Sequence, residues 1–172
     1  MKPLKYNARI RKINRVMAAF RYTEEGRSLL ITGDTAKSAN VQKFAEGVDL
    51  LVHEALATNL VEMVEKVAEK TGNSSDAKMM HDIRDYPTSP LEAAETARDA
   101  GIEHLLYRHT VPPLVFLGQK MLCLNGAEYV FSDYTVGQDG VAFSLRAYSD
   151  EIIRSSEGLW SGINNGGHRR RR

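Results

Sequence analysis

Three apolar runs in this chain end in ionisable side chains. Ser28-Leu29-Leu30-Ile31-Thr32 leads into Gly33-Asp34-Thr35, Val48 to Val52 into His53-Glu54, and Ile102 to Tyr107 into Arg108-His109. Runs this short read as buried strands. The carboxyl ends of such strands are where α/β proteins place ligands and chemistry. A carboxylate with imidazoles is a normal donor set for zinc, manganese or iron. Each residue alone has a structural reading as well: Asp34 as a turn or helix cap, the histidines as half-buried, satisfied side chains. It is the repetition at three strand ends that points to a site. His104 falls inside its run and reads as structural, and His168 stands apart in the C-terminal segment.

The elements that position these residues are marked by local signals. A strand is expected over Val16 to Tyr22, a hairpin turn at Thr23-Glu24-Glu25-Gly26, and a strand before Asp34. Ser38 can cap a helix running through Glu46, with Gly47 as its stop. Asn59 with Glu62 predicts a second helix start, whose stripe Leu60, Met63, Val64 and Val67 reads as core contact. Residues 71 to 87 read as a polar connection holding His81, Asp82, Asp85 and Tyr86. The next start is stronger: Ser89 as N-cap, Pro90 at the first helical position, Glu92 closing a capping box and Gly101 ending the helix. A short helix is expected over 116 to 126, and a hairpin from Val130 to Leu145 turning at Gln138-Asp139-Gly140. The order of strands and helices is α/β.

With 172 residues, 42% hydrophobic and 26% charged, the chain is long and apolar enough for one folded domain. Its formal charge is +1; without Arg169 to Arg172 the 23 basic residues fall to 19 against 22 acidic ones, a body at −3. Nucleic-acid affinity is therefore expected only through the arginine tail. The single Cys123 excludes an internal disulfide, no run reaches membrane-spanning length, and Met1-Lys2-Pro3 does not open a signal peptide. A cytoplasmic location without membrane contact is the expectation. Residues 1–15 form a basic leader, 16–150 the folded body, and 151–172 a mobile tail.

In sequence order, Gly33-Asp34-Thr35, Val52-His53-Glu54-Ala55, MHDIRDYPTSPLEAAETARDAG and LLYRHTVPP resemble the C-terminal half of a metallo-β-lactamase-fold hydrolase, in the branch of ribonuclease Z-like and arylsulfatase-like enzymes. The upstream AAFRYTEEGRS is similar to the strand pair before that family's aspartate, so the resemblance runs from about Val16 to about Asp150. It implies half of an αββα sandwich. Asp34 would bridge two metals and His109 would be the terminal ligand of the second. His53 would stabilise charge beside them, with Glu54 in support. The implied cofactor is zinc, with manganese or iron as alternatives, and the implied reaction is ester or phosphodiester hydrolysis by a metal-generated hydroxide.

The chain also departs from that pattern. The HxHxDH run that supplies most ligands is absent, and is expected in an upstream half of the fold. Residues 1 to 15 carry no further histidine, and Pro87-Thr88-Ser89 stands where the family reads His-Thr-Ser. Asp34 and His109 alone fall short of the three or four ligands a zinc site needs. Half a sandwich also leaves one sheet face bare. The chain is thus expected to form a homodimer or to join a complementary N-terminal half, and to be incomplete as a catalyst alone. The alternative is a non-catalytic binding or assembly module that retains the scaffold. A third reading makes Asp34 the phospho-acceptor of a receiver-like domain, which would want a lysine where Arg108 stands.

Overall fold

The computed structural model describes residues 19–85, 87–114 and 117–156. The basic leader, Tyr86, His168 and the arginine tail lie outside the described residues. The chain is α/β as expected, built on a five-stranded sheet in the order β1-β2-β3-β4-β5. The strands are β1 Ala19–Glu24, β2 Arg27–Thr32, β3 Leu50–Leu56, β4 His104–Val111 and β5 Tyr134–Val136. β1 pairs antiparallel with β2 through a two-residue turn in which Glu25 and Gly26 both take positive φ. That turn matches the twist of its flanking strands. The β2–β3, β3–β4 and β4–β5 pairings are parallel, so the ends of β2, β3 and β4 share one rim.

Helix α1 (Ala39–Ala45) starts at Ser38, whose side chain accepts the Val41 amide, and joins β2 to β3. Helix α4 (Pro90–Ala100) carries the full capping box and ends at a left-handed Gly101. Its small residues Ala93, Ala94, Ala97 and Ala100 bury against Leu30, Leu51, Ala55, Leu105 and Tyr107 of the sheet. Alanines let the helix axis approach closely, and the Tyr107 hydroxyl reaches the Pro90 carbonyl at 2.9 Å. Strand alternation sends Phe20, Leu29, Ile31, Val52 and Leu106 to the other face, where they are only half-buried. A parallel sheet is normally covered on both faces. Here Leu50 on the second face is buried and Phe143 covers His104, while the remaining apolar residues are only partly covered.

Several local expectations are corrected. β1 is described from Ala19 and runs on to Glu24, since its pairing with β2 and not its apolar content sets the end. Helix α2 (Thr58–Lys70) is capped at Ala57 with no side-chain bond; the Asn59 amide instead donates to the Leu122 carbonyl at 2.7 Å. Its buried residues are Leu60, Val61 and Ala68, while Met63 and Val67 are 57% and 56% exposed and Val64 39%. The helix has turned its most apolar stripe outward and packs against the following helix α3 (Ser74–Asp82), with Ala68 buried in the one and Ala77 in the other. That helix occupies the stretch read as a polar connection: Asn73 caps it by accepting the Asp76 amide, and Ile83–Asp85 add a 3-10 turn.

The region after β4 also differs. Helices α5 (Leu117–Leu124) and α6 (Ala127–Val130) precede β5, which joins β4 in parallel and forms no hairpin. The amide of Gly137 lies 2.7 Å from the Tyr107 carbonyl, so close that a side chain there would clash with the same oxygen. The residues Gln138 to Gly140 lead instead into β6 (Val141–Leu145), which pairs antiparallel with β7 (Ile152–Ser156). β7 lies in the stretch expected to be mobile. Phe143 of this pair packs on His104 with ring centroids 5.4 Å apart, which bears out the structural reading of His104. No helix among the described residues is long and apolar enough to cross a membrane.

Candidate metal centre

The parallel rim brings Asp34, Glu54 and His109 together. One donor atom from each lies within 4.8 Å of the others. Asp34 leaves the end of β2 two residues past Thr32. Glu54 lies inside β3, which continues to Leu56 where the apolar run had suggested an end at Val52. His109 is the extra residue of a bulge in β4: Glu54 pairs with Arg108 and Ala55 with Thr110. Its φ of 46° is one that non-glycine residues seldom adopt. Bulges re-aim side chains beside functional sites, and this one brings the His109 Nδ1 to 3.0 Å from Asp34 Oδ1.

The three residues differ in freedom. Asp34 and His109 are exposed, whereas Glu54 is 3% exposed. The Thr35 amide donates to Glu54 Oε1, and the buried Thr88 hydroxyl in turn donates to the Thr35 carbonyl. Thr88 is tied to the rim by the Leu56 amide, which donates to its carbonyl at 2.9 Å. The Glu54 carboxyl is pushed up to about 7, chiefly by burial and further by the neighbouring Asp34 carboxylate, against the opposing Thr35 amide.

His53 stands one residue away and on the opposite face, under α4. It is 1% exposed, and its Nδ1–H donates to the Glu54 carbonyl at 2.9 Å. Burial pulls it down to about 4, with Arg108 adding to the effect, so the imidazole is neutral near pH 7. It does not join the Asp34 cluster. Arg108 reaches across β3, its Nη2 donating to the Thr32 carbonyl at 2.5 Å, and so holds the backbone that leads into Asp34. His81 sits on α3 against Glu65 at 3.1 Å and Arg84 at 2.8 Å, away from the rim group.

Two carboxylates and an imidazole form a donor set that fits zinc, manganese or iron. Three protein ligands with an open side is the arrangement of a catalytic rather than a structural metal. No lysine or arginine pairs with either carboxylate among the described residues; Asp34 pairs with His109. Glu54 as a direct member of this group, and Thr35 and Thr88 as its supports, were not legible as such in the sequence. Strand alternation held the signal: of two adjacent residues His53 and Glu54, only one can face the rim group.

No family model matches the chain. The chain is 34% identical over 95 residues to a ribonuclease Z of Mycolicibacterium gilvum, covering 55% of this chain and 29% of that protein. A putative ribonuclease Z of Mycobacterium tuberculosis is 33% identical over 95 residues, or 55% of this chain and 38% of the relative. The ribonuclease Z resemblance is thus borne out over about half of the chain, which itself spans well under two thirds of those relatives. Among solved structures, the metallo-beta-lactamase fold protein YhfI from Bacillus subtilis aligns with a TM-score of 0.44 at 24% identity, over 68% of this chain and 39% of that one.

Proposed function

We propose that this chain is the Asp34–His109 portion of a ribonuclease Z-like, metal-dependent hydrolase acting on phosphodiester or related ester bonds. The observation that carries the reading is the convergence of Asp34, Glu54 and His109 on the carboxyl rim of a parallel sheet, in a chain similar to ribonuclease Z. A divalent metal bound there would polarise the scissile group and lower the pKa of an attacking water. Asp34 and His109 would hold it from the solvent side. Thr35 and Thr88 keep the Glu54 carboxylate in place, and Arg108 anchors the strand end before Asp34. His53, neutral and buried, would act only by fixing the β3 backbone next to Glu54.

Three ligands make at most one metal site, so the complete catalyst would need donors from elsewhere. The half-buried face of Phe20, Leu29, Ile31, Val52 and Leu106 supports a covering partner, either a second copy or a complementary half. The same open face favours the second reading, a binding or assembly module that retains the scaffold.

Elemental analysis of the purified protein, taken together with its mass in solution, tests the proposal. Near-stoichiometric zinc, manganese or iron in an assembled species, lost in Asp34→Ala and His109→Ala, is expected. Hydrolysis of bis(p-nitrophenyl) phosphate should then follow the metal content. Assembly without metal uptake from replete medium would favour the binding module and sink the hydrolase.

A further inference from the structure

We infer that Arg108 is the anion-recognising residue of the carboxyl rim, and that the substrate is accordingly a phosphodiester rather than a neutral ester. The inference rests on the hydrolase reading above and chooses between the substrate classes that reading leaves open. Arg108 is the register partner of Glu54 and the residue before His109, so it stands at the edge of the rim group. The fold leaves its charge without a counter-ion. Nη2 donates to the Thr32 carbonyl at 2.5 Å, and Nε is buried with no hydrogen-bond partner. No carboxylate pairs with Arg108 among the described residues, whereas Arg27 on the same sheet meets Asp49 at 3.2 Å and Glu103 at 3.5 Å.

A guanidinium has five N–H donors and no acceptor. Leaving a buried donor unmatched costs free energy, so a ligand that brings acceptors to Arg108 is favoured. The carboxylates nearby do not fill that role: Asp34 is paired with His109 at 3.0 Å, and Glu54 accepts the Thr35 amide. The side chain is only half-buried, within reach of a ligand at the rim. The shape of the guanidinium then selects the ligand. Its fork matches two oxygens of a phosphate through parallel, charge-assisted hydrogen bonds. A neutral ester offers no charge and no such pair of equivalent oxygens.

The test uses the full metal-free chain and dimethyl phosphate, a phosphodiester anion, with neutral trimethyl phosphate as the control. Nuclear magnetic resonance follows the Arg108 Nε–H signal. Dimethyl phosphate should shift it saturably, trimethyl phosphate should leave it in place, and added salt should weaken the response. Arg108→Met should weaken dimethyl phosphate binding about tenfold or more, the worth of a hydrogen bond to a charged group. Arg108→Lys should retain part of the binding, since it keeps the charge without the fork. Circular dichroism checks that both variants fold, and the wild-type resonance carries the test if they do not. Binding unchanged in Arg108→Met, an equal response to both phosphates, or no saturable shift would overturn the assignment and leave the metal reading standing. A charge-selective shift in a chain that takes up no metal would keep Arg108 as an anion site and sink the hydrolase.

Discussion

The two rims of the same parallel sheet use charge in opposite ways. At the amino rim, Arg27 of β2 meets Asp49 at 3.2 Å and Glu103 at 3.5 Å, one residue before β3 and β4 respectively. Asp49 also accepts the Ser28 amide and, at 3.0 Å, the Ser28 hydroxyl, while Arg27 donates to the Ser149 carbonyl in the loop before β7. Arg27 is 6% exposed, and its charge is met by two fixed carboxylates. At the carboxyl rim, Asp34 pairs with His109, while the Glu54 carboxylate accepts the Thr35 amide. The same strands supply both rims, but the Arg27–Asp49 pair is largely buried whereas Asp34 and His109 are exposed. Compensated charge at one rim locks strands together; at the other stands a group of residues that could hold a metal ion.

The contrast can be broken most severely at the amino rim. Arg27→Met should destabilise the protein by about 3–5 kcal/mol, because removing one member of a buried pair leaves uncompensated carboxylates. Urea denaturation monitored by circular dichroism measures this, and a loss under 1 kcal/mol would refute the compensated-rim account.

The next effect is a pH dependence arising at the carboxyl rim. Glu54 titrates at about 7 in the fold against an ordinary value of 4.5. Over that range folded Glu54 holds a proton that unfolded Glu54 has lost, so its contribution to metal-free stability falls as pH rises from about 4.5 to about 7, against the rise that buried His53, at about 4 in the fold and ordinarily 6.5, contributes below about 6.5. Glu54→Gln should remove the fall and leave the rise. A metal-free stability that climbs steadily across the same window in the wild type but not in the variant would reverse the sign and refute the burial argument.

The smallest effect sharpens the comparison. Asp34 is exposed, and Asp34→Asn should alter stability by no more than about 0.5 kcal/mol while eliminating metal uptake. A large loss of stability in metal-free protein would mean that this rim, too, is structural.

How much of this was legible in the sequence depends on the range of the interactions concerned. The start of α4 was readable because Ser89, Pro90 and Glu92 act on one another within a single turn. The start of α1 at Ser38 was readable for the same reason. β2 and the cores of β3 and β4 were legible as apolar runs, and with them the positions of Asp34 and His109 at one rim. The outward turn of Met63 and Val67 was not, because the spacing of apolar residues defines a stripe without saying which stripe meets a neighbour. Helix α3 was missed for a related reason: with Ala77 its only buried residue, it shows almost no apolar periodicity.

The amino-acid sequence by itself determined the α/β order, the caps and the residues available for metal chemistry. These follow from local backbone preference and side-chain spacing. Tertiary structure alone decided that β5 joins β4 while β6 turns to β7, and that Glu54 faces the rim while His53 lies under α4. It also placed His109 in a bulge aimed at Asp34. Those outcomes depend on strand register, and a shift of one residue sends every side chain to the other face. Register is set by pairing between segments distant in the chain, which no local pattern specifies.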